Sequence, residues 1–180
     1  MKAFLRDIAL TLALAIVIFL GLQFTVQSFI IFEHCMEPAF HEGERVLVNK
    51  AVYHFIEPKR GDVIILHPPL DPEAVYIKRI IAIPGDSVEV NNGAVYVNGT
   101  KLDEPYVRNP AAYTFPLLAV PENEYFVLGD NRNVARDSHY GWTVPRENIV
   151  GKAWFSFWPP DEWGLVGNYP LAEQLASSAE

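Results

Sequence analysis

The N-terminal apolar run constrains this chain more than any other feature. From Ile8 to Phe32 no residue is charged, and Ile8–Leu22 is almost wholly aliphatic. A helix that crosses a bilayer needs roughly 20 such residues, because the hydrocarbon core is about 30 Å thick and each residue rises about 1.5 Å. A core helix of a soluble domain would carry a polar stripe, and this run has none. A cleaved leader has a shorter apolar run of about 7–15 residues, and Val26-Gln27-Ser28 is only a fair cleavage site. The run therefore predicts an uncleaved membrane anchor, with residues 1–32 as cytoplasmic N-terminus plus span. Lys2 and Arg6 precede it, and Glu33 and Glu37 follow it. Basic flanks stay on the cytoplasmic side. The expected protein is single-pass in the cell membrane, with its N-terminus cytoplasmic and the rest extracytoplasmic, in contact with lipid.

Removing the anchor leaves about 150 residues, enough for one or two small domains. We place the main domain at 33–160 and a C-terminal tail at 161–180. The formal charge of −8 excludes a nucleic-acid partner, whose phosphates require a basic surface. A single cysteine rules out an internal disulfide. His34, His41, His54, His67 and His139 are scattered, with no metal-ligand spacing, so neither metal nor cofactor is expected.

After the anchor the pattern is β. Short strands are predicted at Val46–Val48, Asp62–His67 and Val75–Ile83, separated by the turn residues Glu57–Gly61 and Pro68-Pro69. A meander follows: Ser87–Val90, Ala94–Val97 and Thr100–Leu102, joined by Asn91-Asn92-Gly93 and Asn98-Gly99. Asn-Gly between alternating apolar residues is a strong hairpin signal. That turn also accounts for Asn98-Gly99-Thr100, which matches a glycosylation sequon. Asp103–Pro121 reads as irregular. Strands are expected at Tyr125–Leu128 and Ala153–Trp158, with a polar loop at Gly129–Gly141 and a frayed helix or tail over Ala172–Glu180. The fold class is mainly β and antiparallel, behind one transmembrane helix.

The lone thiol, Cys35, lies in His34-Cys35-Met36-Glu37-Pro38, just past the span. A nucleophile there would meet substrates held at the membrane. It needs a base, and Lys78 is the outstanding candidate. Strand alternation puts Lys78 on a face with Tyr76 and Ile80. Apolar neighbours desolvate an amine and favour its neutral, basic form. Spacing alone favours the plainer reading, in which Lys78 lies at a strand edge and reaches water.

Five segments together resemble the type I (leader) signal peptidases, serine/lysine endopeptidases. Cys35-Met36-Glu37-Pro38 is similar to that family's Ser-Met-x-Pro box, with cysteine in place of serine. Gly43–Lys50, Arg60-Gly61-Asp62-Val63, Lys78–Asp86 and Gly129-Asp130-Asn131-Arg132 with Asp137-Ser138 resemble four further boxes, in the family's order. The resemblance implies a two-sheet catalytic domain that cuts signal peptides from exported preproteins after a small-x-small motif. It implies Cys35 at the nucleophile position, Lys78 as general base, and the Cys35 N–H in an oxyanion hole. Met36, Arg79, Asp130, Arg132, Asp137 and Ser138 take supporting places. Phe29, Ile31, Met36, Phe40, Tyr76 and Ile77 match positions that line the family's shallow pockets, where an extended peptide adds as a strand. Phe29 and Ile31 also suit the end of the span. Trp154, Phe155, Phe157 and Trp158 suit either a lipid interface or the core.

Three departures from the family pattern bear on activity. A thiol beside an amine can transfer its proton outright, leaving thiolate and ammonium, so reduced or altered activity is expected. Ala135 stands where the family often has a serine that orients the lysine. Glu33 stands where some members have a hydroxyl for the oxyanion hole, and an ionised carboxylate cannot donate there, so Glu33 is expected to point elsewhere. His139 in place of arginine is a milder change. Three functions of different class fit: an active peptidase of reduced rate, a nucleophile-substituted or naturally inactive relative that binds signal peptides uncut, and a membrane-anchored scaffold.

Overall fold

The computed structural model describes residues 2–167, 169 and 171–177. Helix α1 (Lys2–Thr25) opens the chain, and its described side chains are exposed along nearly the whole length. Phe4–Thr25 is apolar and 22 residues long, about 33 Å at helical rise, so it can cross a bilayer.

The strands in chain order are β1 (Val26–Ile30), β2 (Arg45–Asn49), β3 (Val63–Leu66), β4 (Tyr76–Ala82), β5 (Ser87–Asn91), β6 (Ala94–Val97), β7 (Thr100–Lys101), β8 (Phe115–Ala119), β9 (Glu124–Leu128), β10 (Val144–Pro145), β11 (Ile149–Trp158) and β12 (Gly164–Leu165); helix α2 (Leu171–Ser177) follows. They form two antiparallel sheets. The larger runs β1-β2-β11-β3-β4-β9-β10, with β12 added beside β11, and the smaller runs β7-β6-β5-β8. This is the mainly β, antiparallel class expected from the pattern, in the two-sheet form that the family resemblance implies.

Alternation explains how the larger sheet is covered. In β3, Val63 and Ile65 join a core with Ile31, Met36, Phe40 and Ile77, while Ile64 and Leu66 join Tyr53, Ile80, Tyr125 and Val127 on the opposite face. In β9, Phe126 and Leu128 turn instead toward Val88, Val90, Val95 and Val97 of the small sheet. Both faces of the central strands are therefore buried, and β4 is buried from Ile77 through Ala82. Lys78 and Arg79 are carried inside by that strand.

The structure revises several boundaries. The apolar stretch divides at Thr25: Gln27 and Ser28 interrupt the aliphatic run, and Val26–Ile30 pairs with β2 in register Val26↔Asn49 to Ile30↔Arg45. β8 lies inside the stretch read as irregular. Pro116 masks it, since proline removes a ladder donor, and β8 accordingly sits at a sheet edge. β11 starts four residues before the expected Ala153. Gly151 weakened that reading, yet the position needs glycine, because a Cβ there would lie 2.5 Å from Asn49 O. The described part of the C-terminal segment is packed down. β12 pairs with β11, and Leu171 is buried in the small-sheet core. Residues 178–180 of the expected tail lie outside the described residues.

Asp86 ties the passage between the sheets. It accepts from Arg60 Nε (2.7 Å) and Nη2 (2.5 Å), Asn98 Nδ2 (2.8 Å) and the Ile83 N–H (2.9 Å). Burial alone would push its carboxyl up, but these bonds and the Arg60 charge hold it below the ordinary value of 3.8. A carboxyl lowered in the folded state stabilises above its unfolded pKa, and that contribution fades as pH falls through the folded one. Asp86→Asn is expected to cost roughly 2–3 kcal/mol at pH 7 and to close part of that gap below about pH 4. Denaturant titrations of the detergent-solubilised protein at pH 7 and pH 3 check both effects.

Candidate active site

Cys35 sits in a single 3-10 turn, His34–Met36, on the connection from β1 to β2. Backbone bonds staple that connection at both ends: Ile31 N–H donates to Glu44 O (2.9 Å), Gly43 N–H to Ile31 O (2.8 Å), and Phe40 N–H to Met36 O (3.0 Å). Met36 and Phe40 fill the core beneath. The turn is thus a rigid lip over the sheet, and Cys35 is 1% exposed.

Lys78 arrives from the middle of the sheet, between β3 and β9. Its Nζ lies 3.0 Å from Cys35 Sγ and 3.0 Å from Ile77 O, and is fully buried. The Cys35 thiol lies 3.6 Å from the same carbonyl as donor. Lys78 also stands 4.8 Å above the Tyr76 ring, as their shared face requires. The nucleophile and base candidates are brought together. Burial pushes the Cys35 thiol up, Lys78 opposes this, and Glu33 adds to the rise; the net direction is upward from 9.0, which works against outright transfer of its proton to Lys78.

Glu33 turns toward the pair: its Oε2 lies 3.9 Å from Lys78 Nζ. Ala135, buried in the same core as Cys35, has no hydroxyl to offer.

The supporting residues form one framework. Arg79 makes a two-pronged pair with Asp130 (2.8 and 2.7 Å) and donates to Gly61 O (3.0 Å) and Gly167 O (3.2 Å). Its guanidinium lies against Tyr106 and Tyr169. Burial pushes the Asp130 carboxyl up against the pull of Arg79. Beside Asp130, Asn131 N–H donates to Cys35 O (3.0 Å) and Asn131 Nδ2 to His34 O (3.0 Å). Gly129 permits that approach, because a Cβ there would lie 2.5 Å from Cys35 O. Arg132 donates to Gly129 O (3.1 Å) and pairs with Glu104 (2.9 and 2.5 Å). Asp137 accepts from Gly129 N–H (2.8 Å), and Ser138 Oγ accepts from Val127 N–H (3.0 Å). His139 donates its N–H to Asp137 and stacks on Tyr113.

A groove of about 410 Å³ runs beside the pair, walled by residues 28–33 on one side and 75–77 on the other, over Ile65. Phe29, Ile31, Tyr76 and Ile77 line it. Phe40 does not, and belongs to the core under the nucleophile turn and to a separate cavity. The wall at β1 is a sheet edge.

The family described as signal peptidase, peptidase S26, matches residues 4–158. The chain belongs to the signal peptidase family. It is 41% identical over 174 residues to the probable signal peptidase I-1 of Synechocystis sp., covering 92% of this chain and 89% of that one. Signal peptidase I of Leptolyngbya laminosa is 40% identical, with 89% and 83% covered. Signal peptidase IB of Staphylococcus aureus is 35% identical, with 91% and 94% covered. These likenesses support a peptidase, a hydrolase, for this signal peptidase family member.

Sequence reasoning missed Asn131, Glu104, Tyr106 and Tyr169 as parts of the site framework. Only Asn131 carried a signal, lying inside the Gly129–Arg132 box. No metal-ligand spacing was legible. Among the described residues, His41, Glu44 and Glu162 bring donor atoms within 4.8 Å of one another. The Glu44 oxygens there already accept from His41 N–H and Ser156 Oγ. Within this signal peptidase framework, Arg79→Gln would strand the Asp130 carboxylate in the interior. It is expected to destabilise by roughly 3–5 kcal/mol, and the double variant with Asp130→Asn is expected to recover part of that loss. A denaturant double-mutant cycle reads the coupling.

Proposed function

We propose that the chain is a membrane-anchored signal peptidase that removes signal peptides from exported preproteins after a small-x-small motif. α1 anchors it, with the N-terminus cytoplasmic and the sheets extracytoplasmic. The 3.0 Å contact of Lys78 Nζ with Cys35 Sγ, sealed from water, carries this reading. The groove beside it suits an extended peptide lying along the edge of β1, with alternate small side chains directed at its walls.

The chemistry follows from the contact. Cys35 sulfur attacks the scissile carbonyl carbon while its proton passes to the neutral amine of Lys78. The Cys35 N–H stabilises the oxyanion, without help from a hydroxyl at position 33. Lys78 then gives the proton to the departing amine of the mature protein, leaving a thioester. Water attacks that thioester with Lys78 again taking the proton, and the signal peptide leaves as a carboxylate. Arg79 and Asp130 act through position alone.

One pair of observations favours a second reading, binding without turnover. The thiol is pushed up, and Ala135 provides no hydroxyl to orient Lys78. Incubation of a preprotein with the detergent-solubilised parent and its variants separates the two. The parent is expected to cut at the small-x-small site and to stop after N-ethylmaleimide treatment. Cys35→Ser should cut and ignore that reagent. Lys78→Ala should lower either rate by about 10²–10⁴. If neither parent nor serine variant cuts while both bind the signal peptide, the binding reading replaces the peptidase.

A further inference from the structure

Lys78 presents a buried nitrogen with two short contacts, Cys35 Sγ and Ile77 O, each at 3.0 Å. An ammonium has a third N–H to direct. Ala135 cannot receive it. Among the described residues, the carboxylate within ion-pair distance of Nζ is Glu33, at 3.9 Å, with its side chain 49% exposed. Glu33 comes from the segment that walls the groove, two residues before the nucleophile position, so it also borders the place of the substrate.

The other charged groups nearby are engaged elsewhere. On the nucleophile turn, His34 pairs with Glu37 (2.7 Å) and Glu42 (3.4 Å). On the loop after β9, Asp130 is held by Arg79 and Asp137 by Gly129 N–H and His139. From β4 the Tyr76 ring faces Lys78.

We propose that Glu33 is a positioning residue of the Cys35–Lys78 pair, its carboxylate taking the side of the Lys78 nitrogen that no hydroxyl at Ala135 can fill and opposing loss of a proton from the pair. The catalytic meaning of this rests on the peptidase reading; the electrostatics do not. A fixed negative charge opposes loss of a proton from the pair, whichever of the two groups gives it up. The direction for Cys35 agrees, since Glu33 adds to the rise caused by burial. The carboxylate thus opposes the loss of the proton that must leave the pair before the thiol attacks with Lys78 as base.

The single cysteine makes the test specific. Alkylation by iodoacetamide of the detergent-solubilised full chain, followed by intact mass from pH 6 to 10, reads the proton on Cys35 with no peptide present. Glu33→Gln is expected to move the midpoint down by about 0.5–1 pH unit, and the charge-preserving Glu33→Asp to restore most of it. High salt should shrink the difference between parent and Glu33→Gln. A merely looser site would raise the rate at every pH without moving the midpoint. An unmoved or raised midpoint in Glu33→Gln overturns the proposal. A lowered midpoint in an enzyme that cuts no preprotein would sink the peptidase reading and leave this role standing.

Discussion

Arg79 and Asp130 meet inside the protein through two short hydrogen bonds, and the geometry of the site depends on that meeting. Arg79 follows Lys78 on β4. Asp130 sits between Gly129 and Asn131, which press against and hydrogen-bond the Cys35 carbonyl. One ion pair therefore spans both halves of the reactive contact. The lysine strand is fixed to the loop, and the loop is fixed to the nucleophile turn. The pair is fully desolvated, so it persists only because every donor of Arg79 finds an oxygen or a ring face. Tyr106 and Tyr169 supply the rings, which gives the packed C-terminal segment, through Tyr169, a part in holding the site.

The same interior that buries the pair explains the resting chemistry. Water is excluded from Cys35 and Lys78, so a charge on either is costly. A serine hydroxyl in that position would simply stay protonated. A thiol ionises more readily, and burial works against that here, with Glu33 adding to the rise. In the proposed reaction a peptide would reach this dry pocket along the groove. The strand edge at β1 leads out of α1 almost without interruption, so the edge along which the proposed peptide would pair begins at the end of the helix long enough to span a bilayer.

Much of this was legible in the residues. The strands β2 to β6 and β9 announced themselves by alternation and Asn-Gly turns, and the five boxes named the residues that meet. What was hidden has identifiable causes. β1 was masked because β-branched residues read equally well as the end of an apolar span. Pro116 hid β8, and Gly151 hid the first turn of pairing in β11. Phe40 looked like a groove residue by position, yet the stapled turn directs it into the core. That Glu33 turns toward Lys78 was not legible, because the sequence places the two 45 residues apart and only the fold brings them to 3.9 Å. Tyr106, Tyr169 and Glu104 approach the site only through tertiary packing, and no local pattern reports such contacts.

The claim at the centre is that Cys35 sulfur, paired with Lys78, attacks a signal-peptide carbonyl. Intact mass spectrometry of the protein quenched in acid during incubation with a preprotein tests it most directly. The account predicts a population heavier by the mass of the signal peptide acyl group, attached at Cys35 as a thioester, released by hydroxylamine and missing from Lys78→Ala. Bound signal peptide with an unmodified Cys35 at every time point would contradict it.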